Sequence, residues 1–140
     1  MKDKLERFIE AQAQNYQAAL AEIRHGRKRT HWMWYVFPQI QGLGFSETAR
    51  FYELRGTAEA ADFLAHPVLG PRLLEISKAL LSLPSNDAHA IMGSPDDLKL
   101  RSSMTLFAVL PGAPPVFQQV LDKFYRGGKD EKTLRIIGGE

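Results

Sequence analysis

The sequence predicts an all-α protein, a single compact domain of six to eight helices spanning residues 1–140, and three observations carry that expectation. Leu and Ala together number 32 against 17 for Val, Ile and Thr, a balance that favours helix over strand. Apolar residues recur three and four apart along most of the chain. Capping residues and prolines stand where those stripes begin and end.

Between Lys2 and Arg24, the residues Leu5, Phe8, Ile9, Gln12, Tyr16, Ala19, Leu20 and Ile23 fall on one helical face. Gly26 follows where a left-handed residue closes a helix. Residues 30–38, THWMWYVFP, are almost all apolar, so alternation and helical spacing both fit. A lone strand would have no partner, which favours a short buried helix after Thr30. Ser46 caps a helix to about Leu54, and Thr57 caps a short one carrying Phe63 and Leu64. His66-Pro67 ends that unit, because a residue before proline is pushed out of the helical region. Val68, Leu69, Leu73, Ile76, Leu80 and Leu83 stripe a core helix that Pro84 terminates. Ser94-Pro95-Asp96-Asp97 is a strong start signal: a capping hydroxyl, a proline at the first turn, and two acids where the helix dipole favours them. A helix to about Val109 follows. Pro115 opens another, with Phe117, Val120, Leu121 and Phe124 inward and Gly127 past its end, and Asp130 caps a last one carrying Leu134 and Ile137.

Composition sets the exclusions. With 44% hydrophobic and 10% aromatic residues, the chain can bury a core, which argues against disorder. Eighteen Lys and Arg against 16 Asp and Glu leave +2, too little for a generic polyanion binder. The absence of cysteine removes disulfides, thiolate nucleophiles and Cys-ligated metal centres, and fits a reducing cytoplasm. The start MKDKLERFIEAQ lacks the apolar core of a secretory signal, and no run approaches the roughly 18 apolar residues of a membrane span. The expectation is a cytoplasmic protein with no membrane role.

Charge placement says more than net charge. Outside residues 24–29 stand 14 basic and 16 acidic residues, so the positive excess sits in Arg24, Arg27, Lys28 and Arg29, directly before Trp32, Trp34, Tyr35 and Phe37. Cations hold phosphate or carboxylate, and an indole stacks on a ring. The same residues also fit a plainer role, since cations offset a helix C-terminal dipole and tryptophans fill cores. Gly42-Leu43-Gly44-Phe45-Ser46 is a flexible loop entering a helix start; it fits a plain turn with an N-cap better than an anion cradle, and it matches neither a P-loop nor a dinucleotide fingerprint. Further on, Lys99, Arg101, Ser102 and Ser103 put polar groups in mid-helix, where serines compete for backbone hydrogen bonds. Asp97, four residues before Arg101, either forms a surface ion pair or orients the guanidinium in a pocket. The histidines at 25, 31, 66 and 89 lack metal-ligand spacing, so no metal is expected. His31 is the best acid-base candidate by position, although a hydrogen-bonded structural histidine fits it better, and no serine triad can be argued.

Several strings carry a resemblance: GRKRTHWMWYVFPQ (26–39), GLGFS (42–46), HPVLG (66–70), PDDLKLRSSMTLF (95–107) and VLDKFYRGGKDEKTL (120–134). In these the chain resembles an uncharacterised, largely bacterial family, the domain-of-unknown-function family eighteen-ten, also called the mycobacterial all-helical type. The resemblance covers most of the chain and implies a multihelical domain, with no reaction, cofactor or catalytic residue to carry over. Some relatives bear a calpastatin-like label, but that inhibitor acts as a disordered chain, unlike the capped, apolar-striped helices here.

The functional expectation is a site for an anionic small molecule such as a nucleotide or phosphate-bearing metabolite, with or without catalysis. Arg27, Lys28 and Arg29 would meet phosphate, His31, Trp32 or Trp34 a ring, and Lys99, Arg101, Ser102 and Ser103 the polar side. The alternatives are an RNA- or DNA-binding module, or a protein-interaction module, using the same basic-aromatic segment.

Overall fold

The computed structural model describes residues 4–140; Lys2 and Asp3, where the first helix was expected to start, lie outside the described residues. The described residues form nine helices: α1 (Glu6–Arg24), α2 (Met33–Val36), α3 (Glu47–Tyr52), α4 (Thr57–Ala65), α5 (Leu69–Leu81), α6 (Ala88–Met92), α7 (Asp96–Ala108), α8 (Val116–Tyr125) and α9 (Glu131–Gly138). The protein is all-α. The ambiguous apolar segment becomes a single helical turn, α2, with Met33, Tyr35 and Val36 buried. Sequence reading missed α6, whose cap is Asp87, accepting from the Ala90 N–H.

α7 lies at the centre, packed against α4, α6, α8 and α9, while α5 joins α1, α4 and α8. A run of rings ties these elements together. Phe8 of α1 meets Phe63 of α4 edge to face at 5.1 Å, Phe63 lies 5.7 Å from Phe107 of α7, and Phe107 lies 5.6 Å from Phe117 of α8. Such tilted and edge contacts suit the ring quadrupoles and add to simple burial.

Two expected caps are corrected. Ser94 does not cap α7: the Asp97 N–H is taken by the Gly93 carbonyl at 2.9 Å, and the Leu98 N–H by the Asp97 carboxylate at 2.9 Å and the Pro95 carbonyl at 3.0 Å. Thr57 does not cap α4 either; the Glu140 carboxylate accepts from both its N–H and its hydroxyl at 2.7 Å. The caps at Ser46 and Asp130 form as expected, accepting from Ala49 at 3.1 Å and Thr133 at 3.0 Å. His66 also serves as a cap, its Nδ1 accepting from the Val68 and Leu69 N–H groups ahead of α5.

The segment between α2 and α3 is anchored by an isolated parallel bridge between Ile40 and Leu54, with Gln41 N–H donating to Leu54 at 2.8 Å and Leu54 N–H to Gln39 at 2.9 Å. Gly42 then adopts φ +97° beside Ile136 of α9. A Cβ at Gly44 would stand 2.5 Å from that of Ala49 in α3, so this close approach needs glycine. The loop 41–46 is thereby held between α3 and α9.

Candidate functional site

The basic run is folded back onto the end of α1. Glu22 accepts from the backbone N–H groups of Arg29 (2.7 Å) and Thr30 (3.0 Å), the Thr30 hydroxyl (2.6 Å) and the Trp32 indole N–H (2.9 Å). Partial burial opposes charge on this carboxyl, but the donors outweigh it and lower its pKa from 4.5 to about 2. Trp32 is only 1% exposed, so its ring is core and offers no stacking surface. Lys28 is also used internally: its ammonium lies 2.8 Å from Asp96, donates to the Thr30 carbonyl at 2.6 Å and sits 5.0 Å from the Trp32 ring centroid. Arg27, Arg29 and His31 are exposed.

The two expected halves of the composite site meet through one carboxylate. Asp96 stands between Lys28 and Lys99, the latter at 3.6 Å, and the Lys99 ammonium lies 5.2 Å from the half-buried Trp34 ring. Beyond Lys99 the surface opens into a cleft of about 840 Å³, walled by the 43–46 loop, α7 and the start of α9. Lys99, Arg101 and Ser102 line it; Arg27, Lys28, Arg29, His31, Trp32 and Trp34 do not.

Arg101 is oriented differently from expectation. Its Nε donates to the Gly128 carbonyl at 2.8 Å and its Nη2 to the Lys129 carbonyl at 3.3 Å, so the guanidinium is fixed by backbone and not by Asp97. Asp97 instead lies 3.5 Å from His89, and its carbonyl accepts from the Tyr125 hydroxyl. Ser102 donates to the Leu98 carbonyl at 3.2 Å. Ser103 is fully buried, has no hydrogen-bond partner among the described residues and does not line the cleft.

The cleft's charge comes largely from residues that sequence reasoning passed over. Lys129, Lys132 and Arg135 join Lys99 and Arg101, against Asp130 and Glu131. Asp130 is occupied in capping α9, and Glu131 faces Arg135 at 3.5 Å in an exposed pair. Three other hollows, of 570, 530 and 560 Å³, carry at most one more cation than acid. The available signal was the Lys129-Asp130-Glu131-Lys132 run after Gly127-Gly128, which brings two lysines to a helix start. Among the described residues no group of three or more His, Asp or Glu side chains is placed to hold a metal ion, and no helix is long and apolar enough to cross a membrane.

The described residues thus form an all-helical domain carrying a distinctly basic cleft. The chain belongs to the family described as a protein of unknown function, DUF1810, whose model matches residues 2–137. It is similar to a solved structure, that of the conserved hypothetical protein Rv1873 from Mycobacterium tuberculosis, with 46% identity over 96% of each chain and a TM-score of 0.94. No curated protein matches.

Proposed function

We propose that this protein binds an anionic small molecule, a nucleotide or another phosphate-bearing metabolite, in the cleft between the 43–46 loop, α7 and α9. One observation carries the reading: five cations against two acids line one hollow, in a chain whose net charge is only +2. Its volume of about 840 Å³ suits a metabolite-sized ligand, for which clefts run to roughly 300–1,000 Å³. Lysines act on phosphate as point charges, and Arg101, already fixed by two carbonyls, presents its charge at little further entropic cost.

The test is a thermal-shift screen of nucleotides, ADP-ribose-like compounds and simple phosphates on the wild type, Lys132→Ala and Arg29→Ala. A ligand at a hundred times its dissociation constant stabilises by about 2.7 kcal/mol, well within detection. The expected result is a shift that Lys132→Ala reduces and Arg29→Ala leaves intact. The reverse pattern would return the site to the exposed basic run. No shift with any compound would remove the reading.

A further inference from the structure

The cleft has an apolar part that an anion alone does not explain. Phe45 is 77% exposed and Leu98 60%, and both line it from different elements, the 43–46 loop and α7. Leaving such side chains in water forgoes burial energy, and exposed apolar surface gathered in a concavity marks a binding surface. The loop carrying Phe45 is held at both of its glycines. Gly42 sits against Ile136, and Gly44 approaches Ala49 more closely than any side chain would permit. The aromatic ring is therefore displayed by a backbone positioned on two helices.

Resting on the reading above, we propose that the ligand is a nucleoside phosphate whose base lies against Phe45 and Leu98 while its phosphate meets Lys129 and Lys132. A planar ring suits an exposed aromatic face, and base-aromatic stacking tolerates any base because each has a π-face. Gln39 also lines the cleft, and a glutamine amide carries both donors and an acceptor of the kind a base edge needs. The basic-aromatic recognition that the sequence suggested for Trp32 is thereby transferred to Phe45, since Trp32 is enclosed.

The experiment is isothermal titration of the full chain with the four nucleoside 5′-monophosphates, ribose 5-phosphate and octyl phosphate, repeated on Phe45→Ala and Lys132→Ala. Phe45 is surface-exposed, so its removal leaves the core intact; unchanged melting and circular dichroism verify this. At least one monophosphate is expected to bind about tenfold or more tightly than ribose 5-phosphate, in keeping with the strength of a stacked base. Phe45→Ala should abolish that ratio, while Lys132→Ala weakens both ligands alike. Equal binding of ribose 5-phosphate, or tighter binding of octyl phosphate, overturns the ring assignment and leaves the anion cleft standing. A concentration-dependent dimer abolished by Phe45→Ala assigns the patch to a contact between copies and overturns it too. Absence of binding by every phosphate overturns the underlying reading with it.

Discussion

Glu22 of α1 accepts the indole N–H of Trp32 at 2.9 Å, and the same carboxylate holds the backbone of Arg29 and Thr30. A basic run beside tryptophans reads from sequence as a binding surface, but this single acid turns its backbone inward and spends the indole on structure. Because the carboxyl titrates near 2 in the folded state against about 4.5 ordinarily, the unfolded chain holds more protons between those values. The stabilisation is complete above pH about 4.5 and is lost as pH falls towards about 2. Glu22→Gln should therefore melt below wild type at pH 7, with the gap closing on acidification. A gap independent of pH, followed by thermal melts from pH 7 to 2.5, would disprove the role.

Lys28 and Asp96 form the contact between the basic run and α7, with side chains only 7% and 19% exposed. Removing Asp96 leaves the largely buried Lys28 ammonium without its carboxylate, at a cost of about 2–4 kcal/mol, whereas removing Lys28 leaves Asp96 with Lys99 and should cost less. A double-mutant cycle on Lys28→Ala and Asp96→Ala should give a coupling above about 1 kcal/mol. The Glu131–Arg135 pair, 82% and 76% exposed, should give less than about 0.5 kcal/mol in the same urea titrations. Equal couplings would mean that burial does not govern these pairs.

The fold was legible because helix signals are local. The apolar stripe of α1, the prolines at 67, 84 and 115 and the caps at Ser46 and Asp130 act within a turn or two of themselves. Where a cap came from far along the chain, as Glu140 does for Thr57 across 83 residues, no local pattern announced it. The cleft follows the same division. Lys99, Arg101 and Ser102 were visible as misplaced polar groups in a helix, whereas Lys129 and Lys132 gain significance only because α9 packs on α7. The ion pair of Lys28 is hidden from sequence for a related reason: its partner Asp96 lies 68 positions away, and local reading assigns that acid to a helix dipole.

Arg101 positions the cleft through the backbone it holds. Its guanidinium donates to the carbonyls of Gly128 and Lys129 and lies 5.8 Å from the Tyr125 ring centroid. Arg101→Ala leaves those carbonyls without their charged donor and should cost about 1.5–3 kcal/mol. Gly128→Ala attacks the same contact from the other side, since a Cβ there would stand 2.7 Å from Nη2. Both variants should increase amide exchange in residues 127–130. Protection equal to wild type in that loop would show that the carbonyl contacts do not order it.

Gly70 and Gly138 both stand in helices, yet substitution should act on them in opposite directions. At Gly70, the second residue of α5, a Cβ would come 2.0 Å from the Leu64 carbonyl oxygen of α4, a backbone atom that cannot rotate aside. The helices must separate, at a cost of about 3 kcal/mol, the upper part of the range for overpacking. At Gly138, in the last turn of α9, nothing lies within 4 Å of the added methyl, and its φ is outside the positive range. Alanine there restricts the unfolded chain and suits the helix, a gain of about 0.5 kcal/mol. Urea denaturation of the two variants separates steric demand from conformational preference. Gly70→Ala within 1 kcal/mol of wild type would mean that α4 and α5 are not held at this close approach.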